Sequence, residues 1–158
     1  MDISFISGTE KFNYRVCAVI ISDGRILAMH DERSPYYYLP GGRVQMGETS
    51  EQAVIRELEE ELMITPRILR PLWLNQSFFT EDVDGLKYHE LCIYYLTDVS
   101  GTGLLEKGEQ FTLNEGNHIH RFEWLPFDRL KDECFYPTFL KADIFHLPEQ
   151  FTIRQEFE

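Results

Sequence analysis

Residues 56–62 read Arg-Glu-Leu-Glu-Glu-Glu-Leu (RELEEEL), an acidic run at what the surrounding pattern makes the last turn of a helix. The negative end of the helix dipole lies there and disfavours carboxylates. Glu57, Glu60 and Glu61 stand at i, i+3 and i+4, so they share a face and repel one another. Local rules broken without visible compensation point to function, and here the missing compensation is positive charge. Upstream, Thr49 with Gln52 three residues on forms a capping box, and Pro66 stops the helix past about Thr65, so the spacing predicts a helix over about Ser50 to Met63. Val54, Ile55, Leu58 and Leu62 make its apolar stripe, with the acid row on an adjoining face.

Working outward, RVCAVIIS and DGRILAMHDE are two β-rich runs joined at Asp23-Gly24, a strong hairpin signal. SPYYYLPGGRV reads as a short aromatic strand broken by Pro40, Gly41 and Gly42. ILRPLWLNQSFF and KYHELCIYYLTDV read as two long strands around a turn at Asp84-Gly85. The polar, Gly-rich stretch from Ser100 to Asn117 suggests a surface loop large enough to act as a lid. IHRFEWLP is a further strand, and FDRLKD and PTFLKADIF read as short amphipathic helices. The expected organisation is one domain over 1–158, with a short polar segment at 1–13 and a helical C-terminal segment at about 127–158. The expected fold class is an α/β sandwich built on a mixed sheet.

The 158 residues carry 27 Asp and Glu against 15 Lys and Arg, a formal charge of −12. That excludes a basic platform for a nucleic-acid polymer or an anionic membrane, and it means a polyphosphate ligand needs cations to approach. The longest apolar run, Val16 to Ile21, is too short to span a bilayer, and the N-terminal stretch lacks the pattern of a secretory signal. Cys17, Cys92 and Cys134 are odd in number and widely spaced, which suggests neither a disulfide framework nor a zinc-cysteine site. A cytoplasmic protein is expected.

From Gly42 the chain runs GRVQMGETSEQAVIRELEEELMI. This resembles the Nudix box of the Nudix hydrolase family, G-x5-E-x7-R-E-U-x-E-E-x-G-U with U apolar. Gly42, Glu48, Arg56, Glu57, Leu58, Glu60, Glu61 and Ile64 match, and Met63 replaces the second glycine. LPGG before the box and EWLP near the C-terminal end extend the resemblance over about Tyr14 to Leu130. It implies a Nudix-type α/β/α sandwich that hydrolyses a nucleoside diphosphate linked to another moiety, by water attack on phosphorus. It also implies Mg²⁺, with Mn²⁺ as a substitute, bound by Glu57, Glu60 and Glu61 and by the carbonyl of Gly42; carboxylates are the hard ligands such ions take. Arg56 then orients carboxylates, with Glu48 as its natural partner. The general base is Glu57 or Glu61 through a metal-bound water, or Glu115 from the stretch LNEGNHIH.

Substrate readers lie outside the box. Tyr36, Tyr37 and Tyr38 alternate across a strand, so Tyr36 and Tyr38 could stack on a base or pack the core, and Phe78 and Phe79 carry the same two readings. Arg15 and Arg33 could reach phosphate or be surface ion-pair partners. His118 and His120 share a strand face but have no third soft ligand nearby, so they read as half-exposed strand residues. The alternative to an enzyme is a non-catalytic module of the same fold that senses a nucleotide; a homodimer is compatible with either. At Met63, two outcomes are open: the left-handed turn is kept under strain, or the helix unwinds by another route and Met63 joins the core. The second is expected, because a thioether fills irregular gaps well.

Overall fold

The computed structural model describes residues 1–32 and 35–158. Strand β1 (Ser4–Ser7) folds back on β2 (Glu10–Ser22), so the polar segment at 1–13 contributes one strand and the start of another to the sheet. β2 turns at Asp23-Gly24, where both residues have positive φ (53° and 74°), into β3 (Arg25–Asp31). Two left-handed residues in succession are what a tight two-residue hairpin needs. No aromatic strand forms at Tyr36–Tyr38, which makes only isolated bridges; strand β4 (Gly41–Arg43) lies just after it. Helix α1 (Ser50–Leu62) follows, then the long hairpin β5 (Arg67–Thr80) and β6 (Lys87–Asp98).

Residues 100–117 are not one long loop. A 3₁₀ turn at Leu105–Lys107 leads into β7 (Gln110–Glu115), which pairs antiparallel with β8 (His118–Pro126) about Gly116-Asn117. Phe111 and Leu113 alternate inward along β7 and pack on the core, which is the period that makes it a strand. After a 3₁₀ turn at Phe127–Asp132 and a single-turn helix α2 (Leu140–Asp143), the chain ends not in helix but in β9 (Thr152–Phe157), which pairs parallel with β5.

The strands run in the order β7-β8-β3-β2-β6-β5-β9, a mixed sheet. β2 is its hub. One edge of β2 pairs parallel with β6 from Glu10 to Ile20, while the other is shared in turn by β1, β4 and, for two residue pairs only, β3. Side chains of β2 alternate between two cores. Val16, Ala18 and Ile20 meet Val54, Leu58 and Leu62 of α1, whereas Cys17 and Val19 meet Leu130, Leu140 and Ile144 of the C-terminal turns. Helical segments therefore cover both faces, the α/β sandwich anticipated from the sequence. Among the described residues no helix is long and apolar enough to cross a membrane.

Candidate active site

α1 begins where the sequence places it. The Thr49 side chain accepts a hydrogen bond from the Gln52 N–H at 3.1 Å, and the Gln52 side chain accepts one from the Thr49 N–H at 2.9 Å, closing the capping box. Its buried face is Ala53, Val54, Leu58, Glu61 and Leu62, with Ile55 only half-buried. A glutamate thus occupies a core position at the helix end. The helix ends in the left-handed turn after all: Met63 has φ 58° and ψ 36°, its N–H donates to the Glu59 carbonyl at 3.1 Å, and its side chain is 64 % exposed. The expectation that Met63 would fill the core is overturned. Ile64, the next residue, makes the inward turn instead and is buried.

The glycine pair of β4 meets this helix end. The Gly41 N–H donates to Glu61 Oε1 at 3.1 Å. A side chain at Gly41 would collide with the Val16 backbone carbonyl, so glycine is required there by close approach, and one at Gly42 would displace the Glu57 carboxylate. β4 is itself fixed by register, Gly42 opposite Val16 and Gly41 opposite Cys17. Arg56 ties the loop to the helix: its Nε and Nη2 each donate to Glu48 at 2.8 Å, Nη2 also to the Arg43 carbonyl at 3.0 Å, and Nη1 to Glu57 Oε1 at 3.0 Å and more weakly to Glu60 at 3.4 Å. Glu48 Oε1 accepts in addition from the Gln45 N–H. This fork-on-carboxylate pair holds the Glu48 carboxyl below the usual range and the Arg56 guanidinium above its own.

The acid row is electrostatically unbalanced. Burial, and then the charge of Glu57, push Glu61 well above the usual carboxylate range. Burial also raises Glu57, although Arg56 opposes the shift. Glu60 projects to the exposed side. Glu115 lies at the end of β7 rather than in a loop, and its charge is felt at both Glu57 and Glu61. Its Oε1 meets His120 Nε2 at 3.0 Å, and His120 is buried, not half-exposed, with Nδ1 unpartnered. Reading residues 100–117 as a loop hid this pair; as a hairpin the stretch places Glu115 opposite His118, with His120 two residues on.

The donor set fits a hard divalent cation: buried Glu61 and half-buried Glu57, raised first by burial and then by neighbouring carboxylates, beside a glycine whose missing side chain leaves room for the Glu57 carboxylate. Among the described residues no three His, Cys, Asp or Glu side chains already converge on one point, so the carboxylates would close on an ion rather than wait as a finished cage.

The expected substrate readers are scattered. Arg15, on β2 opposite Arg43, faces the second core, where burial opposes its charge and Glu90, Cys17, Cys92 and Tyr94 together raise its pKa above the ordinary value. Tyr36 packs edge-on against Tyr136 with centroids 5.1 Å apart, and Tyr38 packs on the α1-side core. Phe79 stacks on Tyr88 (5.0 Å) in an aromatic groove of about 570 Å³, beside Lys11 of β2. Lys11 lies five residues before Val16, so Phe79 is roughly 16 Å along the strand from Gly42. Arg33 lies outside the described residues. Gly41, whose N–H meets Glu61, was not singled out from sequence; its signal was the doubled glycine of LPGG.

Comparison with known proteins agrees with this geometry. The model of the NUDIX domain matches residues 11–142. An ADP-ribose pyrophosphatase of Methanocaldococcus jannaschii is 33% identical over 119 residues, 73% of this chain and 68% of that protein. An 8-oxo-dGTP diphosphatase of Escherichia coli is 68% identical, but over 28 residues, 18% of this chain and 22% of that one. Among solved structures, an ADP-ribose pyrophosphatase of Streptococcus suis superposes with TM-score 0.53 at 13% identity, covering 90% of this chain and 98% of that one, a likeness of fold.

Proposed function

This chain belongs to the NUDIX domain family and hydrolyses phosphoric anhydride bonds of nucleotide derivatives, and from that premise we propose that it is a Mg²⁺-dependent pyrophosphohydrolase of a nucleoside diphosphate joined to a sugar. The observation that carries the metal half of this reading is the buried, uncompensated carboxylate of Glu61 beside Glu57 and the Gly41-Gly42 strand. The substrate half is supported by the relative that aligns with 73% of the chain, an ADP-ribose pyrophosphatase; the triphosphate-cleaving relative aligns over too short a stretch to speak to the leaving group.

In this reading Glu57, Glu60 and Glu61, with the Gly42 carbonyl, would hold the cation. Mg²⁺, or Mn²⁺ in its place, would when bound lower the pKa of the attacking water and offset charge on the diphosphate oxygens. Arg56, locked on Glu48, is a positioning residue that aims Glu57 and Glu60. The proton of the attacking water goes to a carboxylate of this cluster, Glu57 or Glu61 from α1 or Glu115 from β7. The free thiols of Cys17, Cys92 and Cys134 are consistent with a reducing, cytoplasmic setting.

The test is a substrate panel with Mg²⁺ and product identification. Two monophosphate products, a nucleoside monophosphate and a sugar phosphate, are expected. Pyrophosphate with a monophosphate would move the enzyme to triphosphate substrates, and nucleotide binding without turnover would leave a sensor.

A further inference from the structure

β9 is an outermost strand of the sheet, and no strand of the described residues lies beyond it. The Glu158 N–H donates to the Phe78 carbonyl at 2.9 Å, which fixes which backbone groups face β5. By alternation the even-numbered residues of β9 bond to β5, and Ile153, Gln155 and Phe157 present their N–H and C=O groups to the open edge. On the same residues the side chains are exposed: Ile153 63 % and Phe157 74 %. The opposite edge differs. On β7, Phe111 and Leu113 turn into the core. An apolar, unpaired edge is a template for another strand.

We propose that β9 pairs antiparallel with β9 of a second copy of this chain, about a two-fold axis through Gln155. The sequence TIRQEF is self-complementary in that register. Gln155 meets Gln155 and Ile153 meets Phe157, all of them residues whose backbone groups face outward. On the other side of the ribbon Arg154 meets Glu156 of the second copy. The neighbouring two-folds at Arg154 or Glu156 would keep the outward bonds but set Arg154 against Arg154 or Glu156 against Glu156, opposing like charges at the closest pair. The pairing also continues an existing row of rings. Phe5, Phe12, His89, Phe78 and Phe157 follow one another across five strands, with successive centroids 5.3, 5.7, 4.5 and 4.8 Å apart, and Phe157 ends the row exposed until Ile153 of the second copy covers it. Because the contact is isologous it closes at two copies and uses up the edge in both. It does not rest on the catalytic reading.

Sedimentation equilibrium at micromolar concentration tests it. The wild type is expected at twice the 18.7 kDa of one chain. Gln155→Pro removes an outward N–H without touching the bonds to β5, and should yield a monomer with unchanged far-UV circular dichroism. Ile153→Lys should do the same should the proline variant fold poorly. Arg154→Glu and Glu156→Arg should each weaken the dimer roughly tenfold or more, and the double swap should recover it. That rescue separates the interface from the contacts Arg154 and Glu156 make within the chain, to Asp143 and Asn75. A wild type of single-chain mass, or a dimer indifferent to Gln155→Pro and Ile153→Lys, overturns the proposal.

Discussion

Met63 carries the clearest conflict between sequence and backbone. Its φ of 58° places a side chain where an L-residue is disfavoured by roughly 1–2 kcal/mol, and the exposed thioether gains little packing in return. Met63→Gly removes that strain and gives back part of the gain as extra freedom of the unfolded chain. The expected result is a net stabilisation of about 0.5–1 kcal/mol, seen as a melting temperature higher by a few degrees, with the metal response unaltered. A lower melting temperature would contradict the strained turn. Glu61 sets a second residue-level expectation. Its folded-state pKa lies above the unfolded value, so it penalises the metal-free fold at neutral pH, and the penalty fades as pH falls through the raised pKa toward about 4.5. Glu61→Gln keeps an acceptor for the Gly41 N–H and should therefore stabilise the metal-free protein at pH 7 to 8. Its advantage over wild type should shrink on acidification. An advantage that grows as pH falls would show the sign to be wrong.

At the scale of elements, the link between α1 and β4 rests on Arg56 and Glu48. Both are largely shielded, and removing one leaves the other without its partner in a poor solvent for charge. Glu48→Ala should cost about 2–3 kcal/mol by denaturant unfolding and loosen the aim of Glu57. Because the Glu48 pKa is depressed, its contribution is present above about pH 4.5 and is lost as pH falls further, the opposite of Glu61. A loss below 0.5 kcal/mol would reduce the pair to a surface contact. Elements with strong local signals were legible in the sequence. The capping box and Pro66 bracketed α1, and Asp23-Gly24 announced the β2–β3 turn. Elements whose stability is non-local were not. β9 has no inward apolar alternation and exists because β5 lies beside it; β1 depends in the same way on β2. β7 does alternate, at Phe111 and Leu113, but it is only six residues long, and the Gly-rich stretch before it masks the period. That error also detached Glu115 from His120. At Met63 the cap geometry that the Gly in the motif encodes prevails over the packing a thioether could supply.

Across the whole molecule, an acidic chain of charge −12 brings buried Glu61 and half-buried Glu57 and Glu115 to the point where α1, β4 and the end of β7 meet. Such an arrangement costs stability without a counter-ion and is relieved by one, so Mg²⁺ or Mn²⁺ at millimolar concentration should raise the melting temperature of the wild type and not of Glu60→Gln or Glu61→Gln. The relief should also diminish as pH falls and protons compete for the same carboxylates. The most direct measurement of the central claim, that this acid row performs metal-dependent hydrolysis, is turnover of a nucleoside diphosphate sugar with Mg²⁺ by wild type, Glu57→Gln and Glu61→Gln, beside their unfolding curves. The account predicts a loss of roughly 10²–10⁴-fold in kcat for both variants with the fold intact. Full activity in both would contradict it and place the chemistry elsewhere.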